Sequence, residues 1–281
     1  MPDLLRTTAD SFRPIDLRFG PDGALYIADW SNPIIQHGEV DFRDPRRDKS
    51  HGRIWRVALK GARPTPKIDF TKLANAALLD RLNSPHGYEQ DRAQRVLTER
   101  GARVLPDLEA WTKRQTTESA RLRALWMYQA LNQVPRVLLD GLLAAKDPRV
   151  RAAAVRALPA DGELPLLEKL VADEHGRVRI EALRQLATRN TARAAELALG
   201  ALERPMDNFL DYTVWLTIND LAEAWVAAVK SGAWLPAGRE KQLEFGLKAI
   251  EPALASEILG KLIGTTGVPR DTTGPGDARS I

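Results

Sequence analysis

At 281 residues, the chain is long enough for two modest domains, and its composition of 44% hydrophobic and 28% charged residues is ordinary for a globular protein. It contains no cysteine, which excludes disulfides, thiolate zinc sites, a cysteine nucleophile and covalent c-type haem attachment within the chain. The net charge of +4 comes from 41 basic and 37 acidic residues that are well mixed, so we expect no nucleic-acid partner. No apolar run is long enough to predict a membrane span, and the first residues lack a signal-peptide pattern.

Residues 1–59 have the two-residue alternation of β-strands. Ile15, Leu17 and Phe19 share one face, a Gly-Pro-Asp-Gly turn follows, and residues 25–28 form the return strand. Residues 53–57 predict a third strand, which gives a small antiparallel sheet, a partial β-propeller blade. Because a single blade leaves its faces and edges unburied, we expect a piece of a longer protein or a remnant, and residues 12–57 should pack on the first helices or aggregate.

The loop between the second and third strands holds a dense group of polar residues. One interpretation is an active-face loop in which arginines and His51 meet a substrate or a quinone cofactor. The alternative is a loop bonded within itself by Asp–Arg pairs, which anchors the blade. A metal site of His37, Asp44 and His51 is a further alternative without a diagnostic spacing. The residues of the candidate loop are His37, Arg43, Asp44, Arg46, Arg47, Asp48 and His51.

Proline and glycine in residues 60–69 predict a linker, and from about Phe70 the apolar period changes to that of helices. The segment 147–158 is echoed by 176–186, and the motif positions Leu122, Val150 and Val178 follow one another at intervals of 28 residues. A fainter copy covers residues 88–97. Such repeats predict an α-solenoid over 70–264, with helices also expected near 240–250 and 252–263 and a disordered tail over 265–281.

The repeated motif resembles HEAT repeats. The arginine after each repeated apolar residue should form a structural ladder that bonds aspartates and helix-end carbonyls; its members are Arg123, Arg151 and Arg179. Helical aromatic residues at apolar positions predict core packing rather than a base-stacking platform. These residues are Trp111, Trp126, Tyr128, Trp215 and Trp225. His86 and His175 lie near helix starts, where a capping or turn role is expected.

Three segments together resemble a known family: FRPIDLRFGPDGALYIADW, RDPRRDKSHGRIWRV and PMDNFLDYTVWL. They are similar to the membrane-bound-dehydrogenase-like proteins of planctomycetes and verrucomicrobia, over residues 12–264. That resemblance implies a quinoprotein glucose or sorbosone dehydrogenase-like propeller, HEAT repeats and commonly a cytochrome c domain, in an exported, periplasmic protein. The chain departs from the family in lacking five blades and the CxxCH motif, and in carrying Val40 where members often have a second histidine.

The resemblance implies that PQQ and c-type haem belong to the full-length parent, while this chain holds no cofactor. We assign no catalytic, cofactor-binding or metal residue. The first hypothesis is a non-catalytic C-terminal scaffold of an exported sugar- or alcohol-oxidising protein, with the remaining blades and a cytochrome c domain as partners. The second is a HEAT module that binds a protein or polysaccharide and carries a vestigial blade. A third, a nucleic-acid-binding HEAT protein, would need a continuous basic groove that the mixed charge does not predict.

Overall fold

The computed structural model describes residues 3–35, 38–61, 63–159 and 164–265. They form a small antiparallel sheet followed by helices, so the predicted fold class is confirmed. The chain divides into two compact units, one of residues 1–116 with 126–132 and one of residues 117–125 with 133–281. This division falls within a helix, and the predicted domain boundaries at 59/60 and 69/70 stay predictions.

Three strands form the sheet in chain order, and both pairings are antiparallel. Leu17 pairs with Ile27, which pairs with Trp55, so these three side chains share a face. The turn favours glycine, because a Cβ at Gly20 would meet the ring of Tyr26. The register is irregular between Pro14 and Asp16. The strands are β1 (Pro14–Phe19), β2 (Leu25–Asp29) and β3 (Arg53–Val57).

The first unit continues with a 3₁₀ turn and then helices. The turn spans Phe70–Lys72, so the helix expected from residue 70 begins only at Asn75. The segment 126–132, which includes the last turn of α4, completes this unit. Its core is aliphatic and aromatic: Leu78, Leu79, Leu97, Leu108 and Trp111 are all at most 1% exposed. Its helices are α1 (Asn75–Arg81), α2 (Gly87–Arg100) and α3 (Leu105–Lys113), and α4 (Glu118–Ala130) contributes only its last residues.

The second unit consists of paired helices. Helices α6, α8 and α10 pack against one another in succession, while α9 packs against both α8 and α11. This is the arrangement that helical repeats adopt, because each pair buries its apolar face against its neighbours. The helices are α5 (Arg136–Leu143), α6 (Pro148–Arg156), α7 (Leu164–Leu170), α8 (Gly176–Ala187), α9 (Ala192–Gly200), α10 (Asn208–Asp220), α11 (Ala222–Ser231), α12 (Glu240–Ala249) and α13 (Pro252–Thr265).

A side-chain cap begins each helix of the α6–α8–α10 series. Asp147 accepts from the backbone N–H of Arg149 at 2.8 Å, and His175 accepts from that of Arg177 at 3.2 Å. Asp207 likewise accepts from the backbone N–H of Leu210 at 2.8 Å. The caps satisfy amides that a helix start leaves without an internal partner. The repeated start signal in the sequence therefore fixes where these helices begin. All of the predicted disordered tail except Thr265 lies outside the described residues.

Candidate functional site

The polar loop between β2 and β3 is held by short-range pairs. Two nitrogens of Arg46 donate to the carboxylate of Asp44, at 3.0 and 2.8 Å. These bonds, and a further one from the Arg46 backbone N–H, lower the pKa of Asp44 to about 2. Asp44 is therefore ionised at neutral pH and is already engaged by a residue of its own loop.

A second pair lies at the end of the loop. Asp48 accepts from the backbone N–H of Ser50 and of His51, each at 3.0 Å. Its carboxylate also lies 3.0 Å from Nδ1 of the His51 ring. The backbone bond from Ser50 and the two contacts of His51 outweigh burial and lower the pKa of Asp48 to about 2. His51, the residue that the sequence offered as a base, thus bonds a carboxylate three residues away.

Among the described residues of the candidate loop set, Arg47 is the buried one, at 7% exposure. Its guanidinium donates to the backbone carbonyl oxygens of Asp41 at 3.0 Å and Val40 at 2.8 Å. It also lies 5.4 Å from the centre of the Phe42 ring. These contacts close the loop on itself and favour the self-bonded alternative over an arginine that faces a ligand.

The metal-site alternative depends on His37, which lies outside the described residues. Asp44 and His51 each bond another residue of the loop. Within the described ranges, no group of three or more His, Asp or Glu side chains could hold a metal ion. The functional role of the candidate loop residues, including the exposed Arg43, stays a prediction.

The end of β2 holds a buried carboxylate that was not predicted from the sequence. Asp29 is 2% exposed and accepts three hydrogen bonds of 2.8 Å, from the backbone N–H of Arg13 and of Ser31 and from Nε1 of Trp55. Burial is the largest single influence and raises the pKa of Asp29, but the hydrogen bonds together lower it. The alternation of the strand could have predicted this burial, because Asp29 falls on the same face as Leu25 and Ile27. An acidic residue on an apolar face needs internal donors.

One face of the sheet exposes several large apolar side chains, and the other face exposes one among Asp16, Arg18 and Arg56. On one face, Leu17 is 55%, Phe19 66% and Trp55 43% exposed. On the other face, Ile54 is 76% exposed. Outer strands β1 and β3 each pair only with β2 among the described residues. The described sheet thus combines an uncovered apolar face with outer strands that each pair on one side only.

The predicted arginine ladder has two members with defined contacts. Arg151 makes two hydrogen bonds of 3.0 Å to the carboxylate of Asp173 and also donates to the carbonyl of Ala145 at 2.9 Å. Arg179, 6% exposed, donates to the carbonyl of Pro205 at 2.6 Å. Arg123 is half-buried on α4. The first two residues reach aspartate and loop carbonyls of the second unit; the role of the whole ladder stays a prediction.

The prediction that the helical aromatic residues lie in the core is confirmed for three of the five. Trp111, Tyr128 and Trp225 are buried, as predicted, at no more than 5% exposure. The prediction was wrong for Trp126 and Trp215, which are 43% and 38% exposed. Helical spacing placed both near the core side of a helix, but the solenoid leaves part of each helix surface uncovered.

The two histidines near helix starts also behave differently. His175 caps α8 through its ring, whereas His86 occupies the cap position of α2 without a side-chain bond. There the backbone N–H of His86 donates to the hydroxyl of Ser84 at 3.1 Å. The expectation of a capping or turn role therefore holds for both, by different contacts.

Two family models match this chain. Residues 134–212 match HEAT repeats, and residues 1–61 match a domain of unknown function, DUF7133. Residues 134–212 are HEAT repeats. Each match covers less than half of the chain, and no curated protein matches it. The repeat match spans α5 to α10 and does not include the predicted copies at 88–97 and 121–126.

Among the described residues, no helix is long and apolar enough to cross a membrane.

Proposed function

We propose that this chain is the non-catalytic, scaffolding part of an exported quinoprotein-dehydrogenase-like protein. In this proposal the sheet docks against further β-sheet of the parent, and the HEAT repeats form a rigid arm to a partner. PQQ and c-type haem would belong to other parts of that parent. The supporting observation is the sheet, which exposes Phe19 and Trp55 on one face and Ile54 on the other.

The exposed apolar face carries the proposal because of how propeller blades pack. A blade within a propeller lies between two neighbours, so both of its faces are apolar and covered. A sheet that packs on helices on one side alone has a polar outer face. The face with Leu17, Phe19 and Trp55 fits the first pattern, whereas the face with Ile54 also carries Asp16, Arg18 and Arg56. The match of residues 1–61 to DUF7133 names no activity and is compatible with the proposal.

The residues of this chain do not fit covalent haem, and two cations of the candidate loop are already bonded within it. Covalent haem attachment needs cysteines, and the sequence has none. The candidate loop would have to supply the cations for an anionic quinone, but Arg46 and Arg47 bond carboxylate and carbonyl oxygens of the loop. We therefore derive no redox step in this chain.

A HEAT interaction module remains the second candidate function, and helix α10 favours it. Phe209 and Tyr212 are 76% and 60% exposed, and the ring of Tyr212 stacks on that of Trp215 at 5.8 Å. Exposed aromatic residues along one helix are common in protein and carbohydrate recognition. In this reading the sheet is vestigial and α10 binds a protein or a polysaccharide.

Immunoblotting of cells from the natural source separates the two proposals. An antibody raised against this chain should detect a polypeptide far above 31.2 kDa in the periplasmic fraction if the scaffold proposal is right. A cytoplasmic polypeptide of 31.2 kDa would overturn that proposal and leave the interaction module. An unrelated cytoplasmic enzyme, blotted in the same fractions, is the control for leakage.

A further inference from the structure

A groove opens within the first unit, between β1 with the turn after it and helix α2. Its volume is about 590 Å³. A smaller hollow of about 320 Å³ adjoins it and shares Phe19 and Tyr88 as walls. These volumes lie in the range of small-molecule sites in proteins. The groove lies apart from the polar loop between β2 and β3, and it shares Phe19 with the sheet face that the proposed function covers in the full-length protein.

Two of the aromatic rings in the walls are held by other residues. The ring of Tyr88 packs edge-on against Phe70, with ring centres 6.2 Å apart. Tyr26 donates its hydroxyl to Asp22 at 3.2 Å. Because these contacts fix the rings before any ligand arrives, the groove offers a partly preorganised apolar surface.

Three arginines line the same groove, and one carboxylate, Asp91, lies beside them. Arg18 is paired with Asp16 at 3.2 Å, and Arg95 with Glu99 at 2.8 Å. Arg92 differs, since it forms no ion pair with any described residue; its guanidinium lies 5.3 Å from the centre of the Tyr88 ring. The groove therefore contains a cation without a carboxylate partner, directly beside an aromatic wall.

We propose that this groove binds an organic anion that combines a flat, apolar ring system with one carboxylate or sulfonate group. The ring would lie against Tyr88 and Phe19, and the acid group would bond the guanidinium of Arg92. A guanidinium matches a carboxylate with two parallel hydrogen bonds, and its flat face remains available to an aromatic ring. Arg18 and Arg95 add positive charge at the rim.

The spacing on α2 supports this assignment. Tyr88, Arg92 and Arg95 stand at positions i, i+4 and i+7, so one face of the helix presents the ring and both cations. Across the groove, β1 contributes Arg18 and Phe19. An apolar ring and a cation thus come from each side, which suits a ligand with the same two properties.

Isothermal titration calorimetry of the whole chain with 2-naphthoate tests the proposal. We expect saturable binding with one ligand per chain. The neutral ring 2-naphthylmethanol and the ring-free anion acetate should each bind at least about tenfold more weakly. Arg92→Gln should weaken 2-naphthoate binding about tenfold. Arg103→Gln, which removes an exposed arginine from outside the groove, should change the Kd less than twofold. Circular dichroism confirms that both variants fold.

Several results would overturn the assignment. Absence of saturable binding would do so directly. Equal affinity for 2-naphthylmethanol would show that the ring alone is bound, and equal affinity for acetate would show only charge attraction. Equal weakening by Arg92→Gln and Arg103→Gln would mean that the effect follows net charge rather than the groove. None of these outcomes bears on the mass or location of the protein in cells, so the scaffold proposal stands or falls separately.

Discussion

The indole Nε1 of Trp55 donates a 2.8 Å hydrogen bond to the carboxylate of Asp29, and this bond joins β3 to the buried end of β2. Asp29 is 2% exposed, whereas the Trp55 residue is 43% exposed. One edge of the indole is therefore anchored inside the sheet while the ring remains at the surface. The exposed apolar face is a fixed part of the fold and not a consequence of a loose side chain.

Trp55→Phe tests that anchor. Phenylalanine keeps an aromatic ring on the sheet but removes the N–H donor, which leaves the buried carboxylate with two backbone donors. Loss of a hydrogen bond to a charged group should lower the free energy of unfolding by about 1.5 kcal/mol. Urea unfolding followed by circular dichroism measures the change.

Trp126→Phe is the matched control, because Trp126 is also 43% exposed. Its replacement should change the free energy of unfolding by less than about 0.5 kcal/mol. Equal effects of the two substitutions would show that the bond to Asp29 contributes nothing measurable.

Arg151→Met tests the structural role of the ladder. The Arg151 side chain is 11% exposed and bonds Asp173 with two nitrogens. Methionine would leave the Asp173 carboxylate and the carbonyl of Ala145 without this donor, so we expect a loss of about 3 kcal/mol in the free energy of unfolding. Thermal and urea unfolding should both report it.

The control for the ladder is Arg149→Met. Arg149 precedes Arg151 by two residues, but its side chain is 85% exposed and pairs only with Asp147 among the described residues. Exposed pairs contribute little, so at neutral pH this variant should lose less than about 1 kcal/mol in the free energy of unfolding. A ladder without a structural role would give the two variants the same stability.

The cap of α6 predicts an acid-sensitive stability. The side chain of Arg149, followed by its backbone N–H, lowers the pKa of Asp147 to about 2 in the folded chain. An unfolded aspartate titrates near pH ~3.9. Asp147 binds its proton less tightly in the folded chain than in the unfolded chain. Its contribution to the free energy of unfolding is therefore complete above about pH 4 and is lost as the pH falls toward 2.

Asp147→Asn separates this contribution from general acid unfolding. Asparagine also caps helices but does not titrate. Free energies of unfolding, measured by urea titration at a series of pH values, should fall less steeply for the variant between pH 4 and pH 2. If the free energy of unfolding falls equally steeply with pH in the variant and in the unmodified chain, the lowered pKa does not belong to Asp147 in the cap.

The exposed sheet predicts self-association of the isolated chain. Ile54→Lys places a charge at a position that is 76% exposed, so it should reduce association without lowering stability. Sedimentation velocity over a range of concentrations measures this. Val137→Lys, at an 83% exposed position on α5, is the control and should leave association unchanged. If the unmodified chain stays monomeric at every concentration, the exposed sheet does not drive self-association.

Local sequence rules predicted most of the fold. Alternation and the glycine-rich turn located the hairpin, and the repeated motif located α6 and α8, because a capping residue and an apolar helix face recur together. The same rules placed Trp126 and Trp215 in the core. Period alone cannot tell which helix face a neighbour covers, since that depends on packing between repeats.

The candidate site was less predictable. Residue types identified a polar loop, but pairing within it is decided by three-dimensional proximity, so the bonds of Arg47 to backbone carbonyls had no signal in the sequence. Asp29 did have one, since it lies on the apolar face of an alternating strand. The groove beside Arg92 had none, because it forms only when β1 and α2 come together.

Hydroxyl-radical footprinting tests the docking role of the sheet most directly. The oxidation rates of Phe19, Ile54 and Trp55 would be measured in the isolated chain and in the native protein purified from its source. The scaffold proposal predicts that these three side chains react readily in the isolated chain and at least about fivefold more slowly in the native protein, while Trp126 reacts at the same rate in both. Equal rates for the sheet residues in the two samples would contradict it.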